Sequence, residues 1–182
     1  GTGAWEAALV NTINEGDLVL MVETGHFATL WKKMADKLGI NTEFLETDWR
    51  RGVEPEKLLD RLKKDAEGKI KAVCVVHNET STGVTNNVAT TRELLDSLKH
   101  PALLFVDGVS SIGSVDFQMD KWGVDAAISG SQKGFMLPAG LAISCISQKA
   151  LEIAKSTTMR RAYYDLHDML AINNTGYWPY TN

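Results

Sequence analysis

The sequence predicts an α/β fold with a mostly parallel (mixed) central sheet flanked by helices, and three observations carry that prediction. Short apolar runs alternate with amphipathic stretches along the chain, the pattern that builds a parallel sheet through helical crossovers. The runs Ile70 to Val76, Pro101 to Val106 and Ala126 to Ile128 are nearly continuous in apolar residues, as strands buried on both faces require. Residues with chemistry to offer follow such runs: His26 and Phe27, Thr80, Asp107 and Lys133. Ligands of these sheets gather at the carboxyl ends of the strands, so the pattern predicts one site assembled from several loops.

Taken in order, Thr2 to Val10 is a glycine-containing start followed by strong helix formers, and the free N–H groups of such a helix start suit a phosphate. Asp17 to Val22 is a strand introduced by the Glu15-Gly16 turn, and Ala28 to Leu38 has helical spacing. Thr42 to Leu45 is a short strand. Pro55 to Ala66 is an amphipathic helix with Pro in its first turn and Leu58, Leu59 and Leu62 on one face. After the strand Ile70 to Val76, Thr90 and Glu93 form a capping-box pattern for a helix through Leu98. The strand Pro101 to Val106 ends at Asp107. Asp120 to Gly123 reads as a helical turn, Ala126 to Ile128 and the run after Pro138 as strands, and Gln148 to Lys155 as a helix.

Composition sets bounds. Among 182 residues, 44% are hydrophobic and 23% charged, enough to bury a core, and the net charge of −4 gives no reason to expect nucleic acid or an anionic membrane as partner. No apolar run approaches the roughly 18 residues of a spanning helix, and the first residues lack the features of a signal peptide. Cys74 and Cys145 lie in apolar runs and read as buried thiols of a reducing compartment. The four histidines show no metal-ligand spacing, so no metal site is expected. The chain opens without Met inside a glycine turn and closes at Asn182 without a final element, and reads as a piece of a longer polypeptide.

Lys133 and Asp107 carry the chemical argument. Lys133 sits between apolar runs, preceded by Ser129, Gly130 and Ser131 and followed by Gly134; in such a setting a lysine must reach solvent or give up its charge. A neutral amine is what carbonyl chemistry requires. Asp107 directly follows apolar residues, so its carboxylate should be partly desolvated and in need of compensation, which a protonated ring nitrogen could supply. The plainer alternatives are a surface lysine in a loop and an aspartate capping the Ser110-Ser111 turn.

Asp107-Gly-Val-Ser-Ser-Ile-Gly113, Ser129-Gly-Ser-Gln-Lys133 and Asn78-Glu-Thr-Ser-Thr-Gly-Val84 together resemble the class V aminotransferases, a branch of the fold-type I pyridoxal-phosphate enzymes. The likeness covers the whole chain and is nearest to the serine–glyoxylate and alanine–glyoxylate members. Leu137-Pro-Ala-Gly140 and Tyr177-Trp-Pro-Tyr-Thr181 support that subgroup. The resemblance implies that residues 1–182 are the large domain that binds pyridoxal 5′-phosphate, without the family's N-terminal arm and C-terminal small domain.

By the same resemblance, Lys133 would be the Schiff-base lysine and proton carrier, and Asp107 would hold the pyridinium nitrogen. Val109 would pack under the ring, with Phe27 stacked on its other face (His26 is the rival), and Thr80 would bond the ring hydroxyl. Thr2, Gly3 and Ala4, with Gln132, would contact the phosphate. Thr181, or Trp178 or Tyr180, would reach the phosphate of a neighbouring subunit in a homodimer. The reaction implied moves an amino group from serine or alanine to glyoxylate, giving hydroxypyruvate or pyruvate and glycine, in the cytoplasm or, in a eukaryote, the peroxisome. Arg50, Arg51, Arg92, Arg160 and Arg161 do not match the family's motif for the substrate carboxylate, which places that arginine outside this chain.

Two rivals share the cofactor: cysteine desulfurases, which carry His where Gln132 stands, and phosphoserine aminotransferase. A dinucleotide-binding or non-catalytic α/β module is the rival without it, but only Gly1-Thr-Gly3 approaches the required glycine turn, with no strand before it.

Overall fold

The computed structural model describes residues 1–177; Trp178, Tyr180 and Thr181 lie outside them. In chain order the elements are α1 (Thr2–Thr12), β1 (Leu18–Glu23), α2 (His26–Lys37), β2 (Asn41–Glu46), α3 (Pro55–Lys63), β3 (Ile70–Val76), β4 (Asn78–Glu79), β5 (Val84–Thr85), α4 (Val88–Ser97), β6 (Leu103–Asp107), β7 (Ala126–Gly130), β8 (Ala142–Ile146), α5 (Gln148–Ala154) and α6 (Leu166–Asn173). The main sheet has six strands in the order β2-β1-β3-β6-β7-β8. Every pairing in it is parallel except β7 with β8.

The strands are apolar throughout because each face of the sheet builds its own core, with successive side chains pointing opposite ways. Val19, Met21, Cys74, Phe105 and Ile128 face one side, where α1 and α2 cover them with Trp5, Leu9 and Trp31. Leu20, Val22, Val73, Val75, Leu104 and Val106 face the other, under Leu58 and Leu62 of α3 and Val88 and Leu95 of α4. β4 and β5 form a separate antiparallel hairpin just past the end of β3.

Three features depart from the sequence expectation. Helix α4 does not start from Thr90: Asn87 is its N-cap, with the side chain accepting from Thr90 N–H, so the helix begins at Val88. Asn87 satisfies the Thr90 N–H, whereas a cap at Thr90 would have met the Glu93 N–H almost one turn later. β8 is not a buried strand. It lies at the end of the sheet order, most of its residues are exposed, and Cys145 on it is exposed while Cys74 is buried. Helix α6 was not foreseen; Asp165 caps it by accepting from His167 and Asp168 N–H. No helix among the described residues is long and apolar enough to cross a membrane.

The end of the sheet away from the strand carboxyl termini is fastened by Asp125. Its carboxylate is buried and accepts from Leu104 N–H (2.9 Å) and Ser147 Oγ–H (2.8 Å), with Arg92 3.6 Å away. Asp125→Ala would leave buried donors unmet, so chemical denaturation should show the fold destabilised by about 2–3 kcal/mol.

Candidate active site

A cavity of about 180 Å³ opens where β1, β3, β6 and β7 end. Each strand delivers residues to it through the segment that follows: Phe27 at the start of α2 after β1, Asn78 of β4 and Thr80 after β3, Val109 and Ser110 after β6, and Gln132 and Lys133 after β7. Val76 and Asp107 are the last residues of their own strands, register partners side by side, and Thr2 and Trp5 enter from the start of α1.

Asp107 is 4% exposed. Its Oδ1 accepts from Val109 N–H (2.7 Å) and its Oδ2 from Trp5 Nε1–H (3.0 Å). Both donors are neutral. Burial therefore dominates, with a smaller push from the Glu79 carboxylate, and the acid is raised to about 6 although the two hydrogen bonds pull the other way. Trp5 is itself fixed, stacked on Trp31 with ring centroids 5.8 Å apart and planes 14° from parallel. The turn after Asp107 is secured from beneath, where His77 Nδ1 and Ser111 Oγ are 2.9 Å apart and Phe117 and Trp122 enclose the imidazole. Burial holds His77 below the usual histidine range.

Lys133 lies in a tight loop and its side chain is exposed, so of the two options open to it, it reaches solvent. Ser131, fully buried, ties the loop: its Oγ donates to Pro138 O (2.7 Å) and accepts from Leu141 N–H (3.2 Å). Met136 takes a left-handed backbone conformation (φ 54°) with its N–H on Lys133 O (2.9 Å). This is an unfavourable state for a residue with a side chain, held by the surrounding bonds. The Lys133 loop also touches the Asp107 loop backbone to backbone. A Cβ on Gly113 would lie 3.0 Å from Gly134 C, and one on Gly134 would run into Ile112 O. Glycine at both positions lets the loops meet.

Of the residues singled out in the sequence, Lys133, Asp107, Val109, Gln132, Thr80, Phe27 and Thr2 line this one cavity. Gly3 and Ala4 do not: Gly3 lies against the Tyr164 hydroxyl, and Ala4 is buried with its N–H on Gly1 O (2.9 Å). His26 is exposed beside Phe27 rather than in the lining. Thr181 falls outside the described residues. Trp5, the lining residue that bonds Asp107, was not among the residues singled out in the sequence. The available signal was a large ring with a polar handle among the small residues of a helix start. Among the described residues no arginine lines the cavity, and no group of three His, Cys, Asp or Glu is placed to hold a metal.

Residues 1–168 match the family model described as Aminotransferase class-V. Over its whole length the chain is 54% identical to the serine–glyoxylate aminotransferase of Hyphomicrobium methylovorum, of which it covers 45%. It is 49% identical to the L-aspartate–glyoxylate aminotransferase of Paracoccus denitrificans, again over the whole chain and 46% of the relative. The crystal structure of an alanine–glyoxylate aminotransferase from Nostoc sp. superposes with a TM-score of 0.89 at 30% identity, covering all of this chain and 48% of that one. The chain thus spans about half the length of the curated relatives it matches.

The electrostatics of Asp107 give a stability test. Its carboxyl is raised from 3.8 to about 6, so the folded chain holds the proton more tightly than the unfolded one. The contribution is fully present below the unfolded value and is lost as the pH rises through about 6. In urea unfolding of the complete cofactor-free protein, Asp107→Asn should flatten this fall and be stabilised relative to the parent at pH 7.5 by about 1–2 kcal/mol more than at pH 4. Trp5→Phe keeps an aromatic ring for the stack and removes the donor, so a carboxyl NMR titration should place Asp107 higher still.

Proposed function

The chain belongs to the aminotransferase class-V family, and from that premise we propose that residues 1–182 are the cofactor-binding large domain of a pyridoxal 5′-phosphate-dependent transaminase. The reaction carries the amino group of serine to glyoxylate, giving hydroxypyruvate and glycine. The observation that carries this reading is that Lys133 and Asp107, delivered by different strands, line the same small cavity. Glyoxylate as acceptor is common to the relatives named above, which differ in donor. Serine is favoured by the 54% identity to a serine–glyoxylate enzyme, with alanine the alternative donor.

The residues present fit this cofactor. Asp107 is a buried carboxylate with neutral donors on both oxygens, raised to about 6, and a cation would relieve it. Thr2 at the start of α1 and Gln132 offer polar contacts for a phosphate, and the helix start adds its free N–H groups. Phe27 and Val109 are apolar lining residues suited to the two faces of a flat ring.

Bound pyridoxal phosphate supplies an electron-withdrawing ring that spreads the charge left at the substrate Cα when its proton departs. Asp107 would hold a proton on the ring nitrogen, which would keep that ring electron-poor. Lys133 would hold the cofactor, and its amine, when free, would carry the proton of the substrate Cα. Thr80 would hydrogen-bond the ring hydroxyl, and Phe27 and Val109 would pack on the two faces of the ring. With no arginine in the described lining, the ligand for the substrate carboxylate would come from outside this chain.

A homodimer, with the region of Thr181 reaching the neighbouring site, is part of the proposal. Phe135 (39% exposed), Met136 (90%), Leu137 (51%) and Leu141 (45%) present apolar surface immediately after Lys133 and support a second copy seated there. A cytoplasmic setting accompanies this reading.

Two measurements on the complete enzyme test the proposal. Lys133→Ala should lose the visible band formed with pyridoxal phosphate, and its turnover should fall by about 10²–10⁴-fold or more. Lys149→Ala, whose ammonium lies 3.3 Å from Ala102 O at the other end of the sheet, should keep both. If the two variants behave alike, Lys133 is not the reacting amine. In single-turnover half-reactions, L-serine should convert faster than L-alanine or L-aspartate; a faster reaction with L-aspartate would overturn serine as the donor.

A further inference from the structure

Helix α2 starts without a cap of its own, since its N-cap residue is Gly25. The N–H groups of a first helical turn need partners from elsewhere. They come from the β4–β5 hairpin: His26 N–H donates to Ser81 Oγ (2.9 Å), and Phe27 and Ala28 N–H donate to Glu79 Oε2 (3.1 and 3.2 Å). The other carboxylate oxygen, Oε1, accepts from Ser81 N–H (3.1 Å) and Ser81 Oγ–H (2.6 Å). Glu79 is 0% exposed and is not part of the cavity lining. Its charge is met by these donors and by the positive end of α2. Gly25 makes the approach possible, because a Cβ there would lie 2.5 Å from Glu79 Cγ and 2.6 Å from Ser81 Oγ.

The residues this carboxylate joins are neighbours of the site. Phe27 is held by its own N–H, Thr80 is the next residue after Glu79, and both line the cavity. We propose that Glu79 is a positioning residue for the cofactor ring. Without touching the ring, it fastens the Phe27 wall to the Thr80 wall so that the stacking face and the hydroxyl partner keep a fixed spacing. The inference rests on the cavity being the pyridoxal-phosphate site. It separates ring contacts from phosphate contacts, because Thr2 and Gln132 belong to α1 and to the loop after β7, outside the elements that Glu79 joins.

The test uses the complete enzyme with Glu79→Gln, which keeps the shape and replaces one accepting oxygen by a donor. Ser81→Ala is the milder companion, removing one donor to the carboxylate and the acceptor for His26 N–H. In the cofactor-free protein, amide exchange at Phe27 and Ala28 should quicken by about tenfold while β3 and β6 stay within about twofold. Pyridoxal phosphate should bind about tenfold more weakly and inorganic phosphate within about twofold of the parent.

Unchanged pyridoxal-phosphate affinity despite faster exchange would overturn the positioning role. So would a proportional loss of both ligands, or faster exchange throughout the sheet, either of which marks a general structural defect. If Glu79→Gln does not fold, Ser81→Ala decides by the same readouts. A parent enzyme that takes up no pyridoxal phosphate would instead sink the transaminase reading, while the exchange result still judges the clamp.

Discussion

The Asp107 carboxylate, brought out of water at the end of a central strand and held by neutral donors alone, is the constraint around which the molecule is arranged. Keeping it there takes β6 between β3 and β7, α1 laid across so that Trp5 reaches Oδ2, and Trp31 of α2 packed against that indole. A buried acid so placed is unfavourable for folding by itself, and a cation bound beside it would relieve it. The protein thus carries a local instability at the floor of the cavity, and the surrounding hydrophobic core has to offset it.

Much of this was legible in the sequence, for a simple reason. Parallel strands buried on both faces must be apolar over their whole length, and Asp107 and Lys133 stand out against such runs as residues with no packing reason to be there. The strand Ile70–Val76 has the boundaries expected of it, and the lining residues contributed by the loops after β1, β3, β6 and β7 follow from the rule that places ligands at strand carboxyl ends. β8 was harder. An apolar run does not state whether its neighbour is parallel, nor that it will close the sheet order with one partner, so Cys145 read as buried and is exposed.

The contacts that required folding to appear are the long-range polar ones. Trp5 and Asp107 are 102 positions apart in the chain, and nothing local to either marks the pair. Glu79 looks like an ordinary turn carboxylate beside Ser81; that it caps a helix 51 positions earlier depends on the hairpin folding back over α2. Asn87 displaced Thr90 as a cap for a more local reason: both residue types cap well, and the helix begins three residues earlier, at Val88.

The seam between Gly113 and Gly134 bears on how such a scaffold can diversify. Two peptide planes in van der Waals contact move as one body, so the acid-bearing turn and the amine-bearing turn keep their separation whatever surrounds them. New specificities would then arise from exchanging the side chains that ring the opening, while the spacing between the Asp107 turn and the Lys133 turn is inherited unchanged.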